Sequence, residues 1–152
     1  MKWQKAVQAY ERVKFRDQVA PFTPPEGAVA IDAEEPVLPQ YDPGVDALVN
    51  PVAPGDFKSM AIGQKSYQTY CETCHGPSGM GDGAVSMASA NELKGPFAGI
   101  FPLVTAMGRS DGYLYNLIRG GGQRMPSYQR IPPEERWHLV NYVRYLQRGG
   151  QP

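Results

Sequence analysis

Cys71-Glu72-Thr73-Cys74-His75 is the stretch that decides the fold expected for this chain. The C-x-x-C-H spacing is the pattern of covalent haem c attachment, in which each thiol forms a thioether with a vinyl group and the adjacent imidazole binds the iron. Cys71 and Cys74 are the only cysteines among 152 residues, so no thiol remains for a disulfide. The sequence therefore predicts one covalent haem c, held by Cys71 and Cys74, with His75 as the proximal ligand.

Two other functions of a C-x-x-C pair compete with this prediction. A redox-active dithiol is expected inside a βαβ unit, and the flanking residues show no such pattern. A zinc site needs a second pair of Cys or His ligands. His138 is the only other histidine in the chain. Both alternatives are therefore weaker than haem attachment.

The flanks of the motif predict helices. Asp56 is placed to cap a helix that runs into the motif. A short helix is expected from Asp111 to Arg119, ended by Gly120-Gly121-Gly122. A last helix opens at Pro132-Pro133, since proline is tolerated in the first turn. Helices without strand signals around a prosthetic group predict an all-α fold, a small helical domain over residues 56–150.

A distal iron ligand is expected from a methionine. Met125 follows a glycine run and precedes Pro126, between the two later helices, so its loop can cross to the far face of the ring. Met80 lies too close to His75 in sequence to reach that face. Met107 is the second candidate, and His138 would give bis-histidine ligation. The prediction is axial ligation by His75 and Met125.

Residues 1–55 are predicted to form an N-terminal segment and a long Pro-rich extended arm. Eight prolines lie between Ala20 and Asp56, and residues 19–57 hold seven acidic side chains and no basic one. Proline lacks the N–H that helices and strand ladders need. Scattered apolar residues favour docking on partner proteins, and a disordered tether is the alternative. The arm is expected to contribute little to the haem domain.

Charge and hydropathy exclude some functions. The net charge is zero, and no Lys/Arg-rich run with interleaved aromatics supports nucleic-acid binding. No stretch approaches the apolar length of a membrane span, and residues 1–7 lack an apolar leader core. Haem c is attached outside the cytoplasmic membrane in bacteria. The expected location is the periplasmic face of that membrane, as a peripheral protein. Either a leader was removed before this numbering begins, or export depends on a signal that the sequence does not show.

An early C-x-x-C-H, a late Met-Pro loop and terminal helices resemble class I c-type cytochromes. That class pairs a glycine and an aromatic in its first helix with an aromatic in its last, and Gly63, Tyr67 and Tyr142 match. The chain is most similar to the monohaem cytochrome c subunit of bacterial alternative complex III. The matching motifs are Asn50-Pro51-Val52, Gly63-x-x-x-Tyr67, Cys71-x-x-Cys74-His75-Gly76, Gly81-Asp82-Gly83, Met125-Pro126-Ser127-Tyr128 and the stretch from Arg136 to Gln147. The family's lipidated cysteine has no counterpart here.

This resemblance implies electron transfer without substrate chemistry, and so no enzyme activity of the chain's own. Its partners would be other subunits of a membrane respiratory complex that oxidises quinol, and a periplasmic electron acceptor. Arg109, Arg119 and Arg124 are candidates for binding the haem propionates, and the Pro77 carbonyl is expected to accept from the His75 ring. The alternatives are a free periplasmic carrier and a haem enzyme or gas sensor with an open distal site.

Overall fold

The computed structural model describes residues 12–15, 18–21, 38–87 and 98–150, with side chains described in the last two ranges. Residue contacts divide the chain into two compact units, Met1–Glu35 and Pro36–Pro152. Most of the predicted arm before residue 38 lies outside the described residues, so its extended conformation stays a prediction.

The first unit contains a pair of antiparallel strands that the sequence analysis did not predict. Strands β1 (Arg12–Phe15) and β2 (Gln18–Pro21) pair with Phe15 opposite Gln18 and Arg12 opposite Pro21. Polar and apolar residues alternate along β1, the period of a strand, and valine and phenylalanine favour extended backbone. The pattern is only four residues long, too short to stand out against the helical signals elsewhere.

All regular secondary structure among the described residues of the second unit is helical, which confirms the all-α fold and the small cytochrome c-like domain that the resemblance implies. Its elements follow one another with short connections, apart from the longer stretch between the third and fourth. They are α1 (Pro43–Asp46), α2 (Phe57–Tyr70), α3 (Glu72–His75), a 3-10 helix (Leu103–Ala106), α4 (Asp111–Gly120) and α5 (Pro133–Gln147). No helix in the described ranges combines the length and hydropathy that a membrane crossing requires.

Helix starts follow the capping chemistry read from the sequence. The Asp56 carboxylate accepts a hydrogen bond from the Ser59 backbone N–H at 2.8 Å, which satisfies one of the free donors of the first turn of α2. Ser110 caps α4 in the same way through the N–H of Tyr113 at 3.0 Å. Helix α5 begins with Pro133 in its first turn. The predicted cap at Asp56 and the predicted start of α5 are confirmed.

Helices α2 and α5 cross at Gly63, as predicted. A Cβ atom at Gly63 would lie 2.2 Å from the His138 carbonyl oxygen and 2.9 Å from the Tyr142 Cβ. One turn further along α2, the rings of Tyr67 and Tyr142 pack with their centroids 5.4 Å apart. The absence of a side chain at Gly63 therefore sets how closely the two helices approach.

Residues 38–50, here called the strap, pack against α4 instead of leaving the domain. Val45 is 1% exposed, and a Cβ atom at Gly112 would lie 2.1 Å from its carbonyl oxygen. The Asn116 side chain donates to the Leu38 carbonyl at 2.9 Å, and Asn50 donates to Asn141 of α5 at 2.8 Å. The expectation that the arm contributes little to the domain is corrected for these residues.

The strap folds because its proline falls where helices tolerate it. Asp42 caps α1 by accepting from the Gly44 N–H at 2.8 Å, and Pro43 occupies the first turn, where no N–H is needed. This short helix turns Val45 inward and leaves Val49 82% exposed. The division between the two units at Glu35–Pro36 therefore lies upstream of the predicted boundary between residues 55 and 56.

Candidate cofactor site

A cavity of about 580 Å³ lies in the helical unit, a size typical of cofactor sites, which span about 300–1,000 Å³. All four predicted site residues, Cys71, Cys74, His75 and Met125, line this cavity. The motif residues lie at the end of α2 and on α3, whereas Met125 comes from the loop between α4 and α5. The fold thus brings residues from distant parts of the sequence together.

The two cysteines are presented by one helical turn. The N–H groups of Cys74 and His75 both bond to the Cys71 carbonyl, at 3.1 and 2.8 Å. Residues three apart on a helix face the same side, which suits attachment to two vinyl groups of one ring. Both thiols are unpaired, and burial, with a smaller contribution from Cys74, raises the pKa of Cys71 to about 12. A redox-active dithiol usually has a thiol of lowered pKa, and the shift at Cys71 has the opposite direction.

His75 supplies a neutral imidazole to the cavity wall. Burial lowers its pKa, which favours the uncharged ring that metals bind. Its Nδ1 atom is buried and has no hydrogen-bond partner among the described residues, so the predicted bond to the Pro77 carbonyl is not formed. A buried, uncharged imidazole in the cavity wall suits an iron ligand, because metals bind the neutral ring.

The loop after His75 is fastened to α2 by Tyr67. The Tyr67 hydroxyl donates to the Gly76 carbonyl at 2.6 Å, and burial raises the pKa of Tyr67 well above its ordinary value. The His75 carbonyl in turn accepts from the Gly81 N–H at 2.8 Å. Gly76 has φ of +78°, and a Cβ atom there would overlap the Asp82 carboxylate. The peptide beside the expected iron ligand is therefore fixed by a hydrogen bond from the helix crossing.

Met125 is held in the cavity wall by the glycine turn that precedes it. The Met125 carbonyl accepts from the Gly122 N–H at 2.8 Å. Gly121 has φ of +78° and lies so close to this carbonyl that a Cβ atom would be 2.6 Å from it. The glycine run thus both ends α4 and folds the Met-Pro loop back over it.

The competing distal ligands lie elsewhere. Met80 and Met107 are each 52% exposed, and neither lines the cavity. The His138 ring is buried between α2 and α5, where its Nδ1 atom bonds to the Ser59 hydroxyl at 2.9 Å. Among the described methionines, Met125 is the one that shares the cavity with His75.

The walls of the cavity are mainly apolar and aromatic. Leu114, Leu117, Ile118 and Val143 contribute aliphatic side chains, and several tyrosines complete the lining. Near the cysteines, the ring centroids of Tyr70 and Tyr128 lie 6.2 Å apart. Such a surface suits a large planar apolar ring. The thiol pair, the imidazole and the thioether are together the donor set that haem c requires, so the residues present fit that group.

The three arginines proposed to bind the haem propionates differ in their position relative to the cavity. Arg109 and Arg124 line the cavity, whereas Arg119 is 6% exposed and does not. Arg124 donates to the Ala98 carbonyl at 2.8 Å. The Arg109 guanidinium lies 4.8 Å from the centre of the Tyr113 ring.

Among the lining residues that sequence reasoning missed, Gln40 and Tyr41 of the strap lie well before the predicted start of the domain. They precede the attachment motif by thirty residues and lie in a Pro-rich stretch, where no spacing or motif marks them. Only the packing of the strap on α4 brings them to the cavity.

Comparison with known proteins supports the same cofactor. The family described as "Cytochrome C oxidase, cbb3-type, subunit III" matches residues 58–143, more than half of the chain. A solved structure of the Kuenenia stuttgartiensis reducing HAO-like protein complex Kustc0457/Kustc0458 is similar at 30% identity and a TM-score of 0.50. The similarity covers 63% of this chain and 46% of that chain, so it spans less than half of that protein. No curated protein matches.

The match to the family covers the attachment motif, the helix crossing, the Met-Pro loop and most of α5. These parts of the chain build most of the cavity and present its four donor residues. The chain belongs to the cbb3-type cytochrome c oxidase subunit III family, and is a class I c-type cytochrome that binds haem c and transfers electrons.

Proposed function

We propose that this chain is the monohaem electron-transfer subunit of a membrane-associated quinol-oxidising complex of the alternative complex III type. It passes electrons between the other haems of that complex and a periplasmic acceptor, and makes or breaks no substrate bond. The observation that carries the electron-transfer role is that His75 and Met125 line one cavity together with the two cysteines that would attach the cofactor covalently.

The protein residues act by holding and tuning the redox centre. When bound, the haem supplies a one-electron iron couple. Cys71 and Cys74 would hold it through thioether bonds, and His75 and Met125 would supply an imidazole nitrogen and a thioether sulfur to the iron. A methionine sulfur is a weak donor that favours ferrous iron and so raises the potential. The apolar wall, which includes Leu114 and Ile118, keeps water from the ring and has the same effect.

Three observations support a complex with other subunits. The segment Met1–Glu35 forms a compact unit of its own, separate from the unit that holds the cavity. The similar solved structure is itself a protein complex by its title. The motifs shared with the alternative complex III subunit, from Asn50 to Gln147, favour that assembly over others. Because haem c is attached outside the cytoplasmic membrane in bacteria, we expect the chain to be a peripheral protein on the periplasmic face of that membrane.

Copurification tests this proposal. The full chain with a C-terminal tag is purified from membranes of its source under mild detergent, in parallel with a variant that lacks residues 1–35. The full chain should bring a fixed set of subunits and quinol-dependent reduction of its haem, and the shortened chain should be released with an unchanged visible spectrum. A full chain that elutes alone as a monomer in gel filtration would instead identify a free carrier.

A carbon monoxide difference spectrum tests the closed iron separately. With His75 and Met125 both bound, the ferrous protein should show no carbon monoxide complex at neutral pH. A Met125→Ala variant serves as the positive control, because loss of the thioether opens the distal position. Binding by the unmodified protein would favour a haem enzyme or gas sensor.

A further inference from the structure

Part of the cavity wall comes from outside the region that matches the family. Gln40 and Tyr41 belong to the strap, which lies outside that region. They line the cavity together with Arg109, which directly precedes the cap of α4, and Tyr113, which lies in the first turn of α4. We propose that these four residues form the propionate-binding end of the haem site, with Arg109 as the cation. The strap is then part of the cofactor site. This inference rests on the haem site and not on the proposed complex.

Two tyrosines and one glutamine restrain Arg109. Its guanidinium carbon lies 4.8 Å from the centre of the Tyr113 ring and 5.9 Å from that of Tyr41, both within the range of cation–π attraction of about 6 Å. The Gln40 side-chain amide donates to the Tyr113 hydroxyl at 2.5 Å and fixes that ring. The cation is therefore positioned by the protein before a ligand arrives, which lowers the entropic cost of binding.

Two carboxylates near the start of α4 are engaged with other groups. Asp111 pairs with the Arg144 Nε at 2.7 Å, and Asp46 accepts a short hydrogen bond from the Ser110 hydroxyl. Within residues 38–87 and 98–150, Arg109 itself forms no salt bridge. Its planar guanidinium is suited to a carboxylate, which it can bind through two parallel hydrogen bonds.

The other arginines near the cavity are less suited. Arg124 is committed to a backbone carbonyl, as described above. Arg130 lies 5.2 Å from the centre of the Tyr70 ring, and Tyr70 directly precedes Cys71. Since the vinyl groups and the propionates lie on opposite edges of the macrocycle, a cation beside the cysteines is at the wrong end for the propionates. These comparisons leave Arg109 as the propionate partner.

The strap is anchored on both sides of its lining residues. Before Gln40, the Leu38 carbonyl accepts from Asn116 at 2.9 Å, and after Tyr41 the buried Val45 lies against α4 at Gly112. Both anchors are on α4, the helix that also carries Tyr113. The strap and the start of α4 therefore hold the four residues as one rigid wall.

The reduction potential of the haem in the full-length holoprotein tests the role of Arg109. Arg109→Gln should lower the potential, because an uncompensated propionate charge stabilises ferric iron. It should also introduce a pH dependence between about pH 5 and 8, since a carboxyl that loses its guanidinium partner titrates at higher pH. Arg130→Gln removes the same charge beside the cysteines and should produce a smaller shift without that pH dependence. Arg109→Lys should restore part of the loss.

Gln40→Ala tests the contribution of the strap. Gln40 acts through Tyr113 as a positioning residue, so its loss should give a smaller shift with the same pH dependence, which a change in stability alone would not produce. Equal shifts for Arg109→Gln and Arg130→Gln, with no pH dependence, would overturn the proposal. If Arg109→Gln behaves as expected and Gln40→Ala leaves the potential and its pH profile unchanged, the role of the strap is refuted.

Discussion

Replacing Gly63 with alanine should weaken the contact between α2 and α5. The new Cβ atom would lie 2.2 Å from the His138 carbonyl oxygen, whereas close C···O contacts in proteins are about 3.3 Å. The helices would have to separate by roughly 1 Å, and a gap of that size removes about a quarter to a half of each dispersion contact across it. Because the opposing atom is a backbone carbonyl, it cannot rotate away.

The net change in the free energy of unfolding is the cost of overpacking minus the gain in helix propensity. Overpacking of this kind costs about 1–3 kcal/mol, and we expect the upper end of that range here. Alanine gains about 1 kcal/mol over glycine from helix propensity. Gly63→Ala should therefore lower the free energy of unfolding by about 2 kcal/mol, or about 5–10 °C in Tm for a unit of this size. Gly63→Leu should cost more.

Thermal unfolding of the ferric holoprotein, followed by circular dichroism, measures this change. Ala61→Gly is the matched control, because residue 61 is exposed in the same helix and reports the propensity term alone, about 1 kcal/mol. If Gly63→Ala raises stability by as much as Ala61→Gly lowers it, the close approach of the helices does not limit the fold.

Three further predictions concern the cavity and the strap. Met125→Leu should abolish the ferric sulfur-to-iron charge-transfer band and lower the potential, whereas Met107→Leu should change neither in the same spectroelectrochemical titration. Val45→Ala should lower the free energy of unfolding by about 1–3 kcal/mol in denaturant titrations, and Val49→Ala by a few tenths, because only Val45 is buried. Tyr67→Phe leaves a backbone carbonyl without its donor and should cost about 1–3 kcal/mol. Burial raises the pKa of Tyr67, so the stabilisation that its neutral hydroxyl provides is complete below about pH 10, the pKa in the unfolded chain. This stabilisation decreases as the pH rises above about 10. A destabilisation by Tyr67→Phe that is equal at neutral and at strongly alkaline pH would contradict this.

The sequence by itself determined the cofactor chemistry and the helices. Cys71, Cys74 and His75 are adjacent in the chain, so a single helical turn suffices to present them, and local spacing carries the information. Caps such as Asp56 and breakers such as Gly121 act within a few residues and were read correctly for the same reason. The contact at Gly63 was predicted because small residues at a helix crossing follow a pattern shared by the class.

The tertiary structure decided which residues meet across long separations. Placing Met125 rather than Met107 in the cavity depends on the glycine turn after α4, which folds the loop back through the Gly122–Met125 hydrogen bond. The strap was misjudged because its prolines suggested an extended arm, whereas Pro43 falls in a first helical turn and Val45 finds a complementary surface at Gly112. Burial of one valine against a distant glycine leaves no periodic signal in the sequence. The placement of Gln40 and Tyr41 in the cavity wall follows from that contact, so packing alone determined it.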